Sequence, residues 1–160
     1  MPDDLPVRAH KLLAATACTL GLLVAGTASA APSIEVAAGI ADEIDGRSAS
    51  TYSVMWLSPD RHPWELGASF IEGRGRDAAP YTSDRGVLSA GRRFTRGRFY
   101  ALSGLAWVTY DDEVLSGRFQ FHTGLGAEIG GWSLSLRHLS NAGTSGRNRG
   151  ETLLLLALRW

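Results

Sequence analysis

From residue 33 onward, apolar and polar residues alternate with a period of two along most of the chain, the pattern of strands with two unlike faces. Ile34, Val36, Ala38 and Ile40 share a face, with Glu35 on the other. Trp64, Leu66, Ala68 and Phe70 oppose Glu65, Gly67 and Ser69. Phe119, Phe121, Leu125, Ala127 and Ile129 oppose Arg118, Gln120, His122 and Glu128, and Trp132, Leu134 and Leu136 oppose Ser133, Ser135 and Arg137. The alternation predicts eight strands: Ser33–Ala41, Ala49–Leu57, Pro63–Ile71, Gly86–Phe94, Phe99–Thr109, Gly117–Ile129, Gly131–Ser140 and Glu151–Trp160. No stretch among them is apolar for long enough to form a membrane helix.

Alternation alone does not say which face is inside. A soluble β-sandwich turns its apolar face inward, whereas a membrane barrel turns it outward to lipid. Three features favour the barrel. The polar faces hold small residues and charges of both signs (Glu35, Glu65, Arg118, Glu128, Arg137), as a narrow polar lumen requires. Aromatics gather near strand ends (Tyr52, Trp56, Trp64, Phe70, Phe94, Tyr110, Trp132, Trp160), as in an interfacial girdle. The chain ends on Leu-Ala-Leu-Arg-Trp, which resembles the terminal aromatic strand of outer-membrane proteins. The fold expected is therefore all-β, an eight-stranded antiparallel transmembrane β-barrel over residues 31–160.

The connections 42–48, 72–85, 110–116 and 141–150 are the longer ones; 58–62, 95–98 and Gly130 are the shorter. Bacterial barrels carry long extracellular loops and short periplasmic turns, so both termini are expected in the periplasm. Residues 1–30 have the three parts of a secretory signal peptide: Arg8 and Lys11, an apolar run from Leu12 to Ala25, and Ala28-Ser29-Ala30 as a small-x-small cleavage site. Its removal would take away Cys18, the one cysteine, and with it any disulfide framework or thiolate metal site. Of the 16 basic and 16 acidic residues, Arg8, Lys11, Asp3 and Asp4 fall in this leader, leaving fourteen of each, the basic ones all arginine. Zero net charge gives no reason to expect nucleic acid as a partner.

Candidate chemistry appears where strand 7 breaks its own pattern. After Trp132, Leu134 and Leu136, the same face continues with His138 and Ser140. Polar residues facing hydrocarbon are costly without a purpose. Residues i and i+2 on a strand point the same way with Cα atoms about 6.6 Å apart, so the two side chains can lean together. A serine hydroxyl becomes a nucleophile when a base takes its proton, and imidazole suits that role when a third group orients it. Glu151 is the carboxylate that the hairpin returns beside the end of strand 7. Strict alternation along Leu158, Leu156, Leu154 and Thr152 nevertheless turns Glu151 inward; aiming it at His138 requires a bulge near Thr152 or a loop conformation at Glu151. The Gly- and Asn-rich loop 141–150 exposes N–H groups of the kind an oxyanion needs, with Asn141 and Gly143 nearest.

Arg137-His138-Leu139-Ser140-Asn141-Ala142-Gly143 followed by Asn148-Arg149-Gly150-Glu151 resembles the motif of the outer-membrane lipid A 3-O-deacylases of the PagL type. That family shows His-x-Ser-Asn-Ala-Gly and then Asn-x-Gly before a glutamate, on the last hairpin of an eight-stranded barrel. In some members one further residue separates the glycine from the glutamate; here they are adjacent. The resemblance implies Ser140 as nucleophile, His138 as base and Glu151 as orienting acid. It marks Asn148, with Asn141 and Gly143, for oxyanion or substrate contact. It implies an outer-membrane enzyme that hydrolyses the ester-linked 3-hydroxyacyl chain at position 3 of lipid A in lipopolysaccharide, with no metal and no cofactor. A homodimer covering the site is compatible with the sequence, which does not require one. The runner-up is an outer-membrane phospholipase-type esterase, a family with a His-x-Ser-Asn site on a twelve-stranded, calcium-dependent barrel. A non-enzymatic structural barrel is the third reading.

The remaining polar groups carry weaker signals. His62 is expected to be solvated in a periplasmic turn and His122 to face the lumen beside Gln120. Asp111-Asp112-Glu113 is expected to be an exposed acidic loop. Arg74, Arg76 and Arg85 fit either contact with lipid A phosphates or ordinary solvated loop charge.

Overall fold

The computed structural model describes residues 31–44, 47–74 and 82–160. The expected leader 1–30 and Arg76 lie outside them. Eight strands follow in chain order: β1 Ser33–Ile44, β2 Arg47–Leu57, β3 Trp64–Ile71, β4 Arg85–Arg96, β5 Phe99–Val108, β6 Phe119–Ile129, β7 Trp132–Ser140 and β8 Glu151–Arg159. Each pairs with its sequence neighbours and β8 pairs antiparallel with β1, so the sheet closes into a barrel. The expected fold is the observed one. Among the described residues no helix is long and apolar enough to cross a membrane, and the crossing elements are strands.

The inside-out arrangement is explicit. Ile34, Val54, Leu66, Leu88, Leu125 and Leu134 are exposed on the outer wall, whereas Glu35, Glu65, Arg93 and Arg137 are buried. Such an apolar exterior belongs against lipid. The lumen charges pair with one another, as buried charges must. Arg93 Nη2 meets Glu35 Oε2 at 2.6 Å and its Nε meets Glu65 Oε2 at 2.6 Å. Arg137 also donates to Glu65, and Arg159 bridges Glu35 and Glu128. Arg118, expected on a lumen face, instead precedes β6, is exposed, and lies over the Trp107 ring at 5.9 Å.

The short connections are tight. Gly97-Arg98 joins β4 to β5, and Gly130-Gly131 joins β6 to β7 with φ of +57° and +85°. Positive φ at both central residues is the hairpin geometry that matches strand twist, and glycine adopts it without a Cβ clash. The sequence predicts one connecting glycine there; the turn uses two. At the opposite end, the segments 72–84, 109–118 and 141–150 are long. The expected loop 42–48 is mostly strand: β1 and β2 stay paired to Ile44↔Arg47, with a register shift after Ala41. That shift lets Ile44 bury, 2 % exposed, as Ala41 does.

Segment 109–118 folds over the barrel mouth. Val114 and Leu115 are fully buried, and Asp112 Oδ1 accepts both of their N–H groups at 2.9 and 3.0 Å. Asp112 also takes Arg85 Nη2 at 2.5 Å. The acidic run is therefore not simply solvated, and Arg85, 2 % exposed, is unavailable to external phosphate. His62 likewise does more than face solvent: its Nδ1 accepts Thr95 N–H at 3.1 Å. His122 is buried in the lumen, as expected.

Candidate active site

β7 and β8 place the chemistry. The register pairs His138 with Thr152 and Leu139 with Glu151, with no shift along the ladder. Side-chain direction alternates strictly, so His138, Ser140 and Thr152 look outward while Leu139 and Glu151 look into the lumen. His138 Nδ1 and Thr152 Oγ1 are 3.0 Å apart. The Nε2 edge of the ring lies toward Gly150: a Cβ at that position would stand 2.7 Å from Nε2 and 2.6 Å from Cε1. With φ of +80°, Gly150 is also in the left-handed region that disfavours other residues.

Glu151 corrects the expectation from sequence. It is fully buried and held by Arg74, with Nη2 to Oε1 at 2.5 Å and Nη1 to Oε2 at 3.4 Å. Arg74 also donates to the carbonyls of Asp42 at 2.6 Å and Arg47 at 3.2 Å. The bulge that would aim Glu151 at His138 is absent, because β8 keeps its period through Thr152. Arg74 is 4 % exposed and serves this pair rather than a surface phosphate.

Ser140 and His138 share one face two residues apart, each held by its own partners; no hydrogen bond joins their side chains. Ala142 N–H points at Ser140 Oγ from 3.1 Å. Asn148 lies 2.7 Å from the same oxygen. The Asn148 amide is oriented by its neighbours: with Oδ1 toward Ser140 it also accepts Asn141 N–H at 2.9 Å, and its Nδ2 reaches Val114 O at 3.2 Å. The Ser140 hydroxyl then donates to Asn148. Ala142 has φ of 54°, and it is the one non-glycine residue with positive φ among the described residues. Strain of this kind clusters at functional sites. Sequence reading passed over Ala142, because alanine carries no signal of left-handed geometry.

Asn141 and Gly143 do not face an oxyanion position in this structure. Asn141 is 2 % exposed. Its Nδ2 donates to the carbonyls of Ser116 and Ser145, the latter at 2.6 Å, and its Oδ1 takes Gly143 N–H at 2.8 Å. Asn141 thus fastens loop 141–150 to segment 109–118, and Gly150 N–H to Val114 O at 2.9 Å makes a second tie. The N–H directed at Ser140 is that of Ala142.

A groove of ≈ 520 Å³ on the outer wall is lined by residues of β5–β8. Ala101, Thr123, Leu125, Leu136, His138 and Thr152 are among its lining residues. Thr123 and Ala101 are small beside Leu125 and Leu136, which leaves a channel in an otherwise bulky lipid-facing surface.

The family profile described as Lipid A 3-O-deacylase (PagL) matches residues 49–160. The chain belongs to this family. The match runs from Ala49 in β2 to the end of β8, including every outward-facing residue of the site described above. The fold is similar to the crystal structure of the outer membrane enzyme PagL, with a TM-score of 0.54 at 20 % identity, over 79 % of this chain and 97 % of that one. No curated protein matches the sequence. Family and barrel together make this an outer-membrane protein of a deacylase family that acts on lipid A.

Proposed function

We propose that this chain is a serine-type lipid A 3-O-deacylase working at the outer leaflet. The observation that carries the reading is the cradle around Ser140: a hydroxyl on the lipid-facing wall, beside His138, with a strained backbone N–H aimed at its oxygen. The end of β3, the start of β4 and the long segments 109–118 and 141–150 share one rim with the site. By the usual loop asymmetry that rim is extracellular and the termini are periplasmic.

Nδ1 of His138 faces Thr152, so Nε2 is the nitrogen left for proton transfer. Ser140 Oγ turns from Asn148 toward Nε2, gives up its proton, and attacks the carbonyl carbon of the 3-O ester. The carbonyl oxygen becomes an oxyanion beside Ala142 N–H. The ester C–O bond breaks, the sugar oxygen takes the proton from His138, and the acyl chain stays on Ser140. Water, deprotonated by His138, then releases the 3-hydroxy fatty acid and restores the hydroxyl. The groove receives the acyl chain, because its mostly apolar lining matches hydrocarbon and includes His138.

Mass spectrometry of lipid A from cells with and without the protein tests this directly. Loss of one 3-hydroxyacyl chain is expected, and Ser140→Ala or His138→Ala should abolish it with the barrel intact, since such pairs contribute several orders of magnitude in rate. Retained activity in Ser140→Ala would falsify the serine mechanism. Chain loss from phospholipids instead would favour the phospholipase reading, as would an activity silenced by EDTA and restored by calcium on a soluble ester. The N–H aimed at Ser140 supports an oxyanion site built from backbone rather than from calcium.

A further inference from the structure

We infer that Thr152, a neutral hydroxyl, is the positioning residue for His138, and that the Glu151 carboxylate has no part in the proton transfer. This inference rests on the serine-hydrolase reading of the same site. His138 is flanked across the sheet by two threonines, Thr123 on β6 and Thr152 on β8. The ring turns to Thr152, with Nδ1 3.0 Å from its Oγ1. For Nε2 to accept a proton, Nδ1 must carry the ring's hydrogen, so Nδ1–H donates and Thr152 Oγ1 accepts. Gly150 closes the other edge of the ring, where even a methyl group would collide with Nε2. Between them, Thr152 and Gly150 fix the direction of the imidazole, and Thr152 Oγ1 accepts the Nδ1 hydrogen of the tautomer that leaves Nε2 free.

Glu151 lies on the other side of the sheet. It is one residue from Thr152 on a strand, so its side chain leaves the opposite face and meets Arg74 in the lumen. Neither carboxylate oxygen is within hydrogen-bonding distance of His138; both are taken by Arg74. The charged groups of the hairpin follow the same division. On the outward face, the side chains beside the ring are Leu136 and Ser140 on β7, Phe121, Thr123 and Leu125 on β6, and Thr152 and Leu154 on β8, none of them titratable. Arg137, His122 and Glu151 are buried on the lumen side, and Arg149 in the loop pairs with Asp42 at 3.7 Å. A hydroxyl orients the ring as a carboxylate does, but offers no charge to hold the imidazolium that forms during reaction.

The test is steady-state deacylation of purified lipid A in zwitterionic detergent by the full-length barrel, with each variant first checked for heat-modifiable migration. Thr152→Val, which keeps shape and removes the acceptor, should lower kcat by about 10- to 100-fold with KM within about twofold. Thr152→Ser should recover kcat to within about threefold of the parent, because it returns the acceptor. Glu151→Gln should keep kcat within about threefold in its folded fraction, while its heat-modification midpoint falls. Parental kcat in Thr152→Val, or a folded Glu151→Gln as inactive as His138→Ala, would overturn the assignment. Ser140→Ala is assayed beside them: if it too is active, the serine-hydrolase reading fails, and not the choice of positioning residue alone.

Discussion

Gly150 lies against His138 so closely that a Cβ at position 150 would stand 2.7 Å from Nε2. That contact joins the loop's backbone geometry to the His138 imidazole. Gly150→Ala adds two burdens: a methyl group in the space of the ring, and a side chain at φ +80°. The backbone cost alone is about 1–3 kcal/mol. The ring should be displaced from Thr152 and Ser140, so kcat should fall about 100-fold. Activity of the folded variant in detergent is the measurement, and parental kcat would show that the imidazole position is not critical.

Ala142 is held at φ 54°, with its N–H toward Ser140 Oγ. A β-branched side chain tolerates this region poorly. Ala142→Val should therefore shift the N–H away from Ser140 and lower kcat by about 10- to 100-fold, in the range seen for lost oxyanion donors. KM should change little, because the groove is untouched. A raised KM at constant kcat would place Ala142 in substrate binding instead.

Asn148 holds the Ser140 hydroxyl and, through its amide nitrogen, Val114 O. Asn148→Ala frees the hydroxyl but loosens the loop. The loss of one half-buried side chain bonding to three groups should cost about 1–3 kcal/mol, read as a lower heat-modification midpoint. Loop 141–150 should also become a protease target, and resistance equal to the parent would count against this tie.

The Arg74–Glu151 pair is fully buried in the lumen. Arg74→Met leaves a carboxylate without its cation and should destabilise the barrel by about 3–5 kcal/mol. The double variant Arg74→Met with Glu151→Leu removes both charges and should regain most of that loss. Urea unfolding in detergent compares the two. Equal destabilisation in the single and double variants would mean that the pair does not act as a unit.

The barrel, the sense of its faces and the residues that break the pattern are all legible in the order of amino acids alone. Period-two alternation is local, so Ile34 opposite Glu35 and Leu136 opposite Arg137 were legible without any contact being known. The same alternation exposed His138 and Ser140 as polar residues on an apolar wall. It also contained the inward direction of Glu151, against which the His-x-Ser motif argued. Tertiary structure decided between them, because the β7–β8 register belongs to a pair of strands and not to either one. β8 is apolar on both faces for most of its length, so its own pattern specifies register weakly. Closure onto β1 and the ties from loop 141–150 to Ser116 and Val114 set Thr152, not Glu151, beside the imidazole. The strained Ala142 and the buried Arg74 were invisible for a related reason: a backbone dihedral and an ion pair across 77 residues of sequence exist only once the loops have packed.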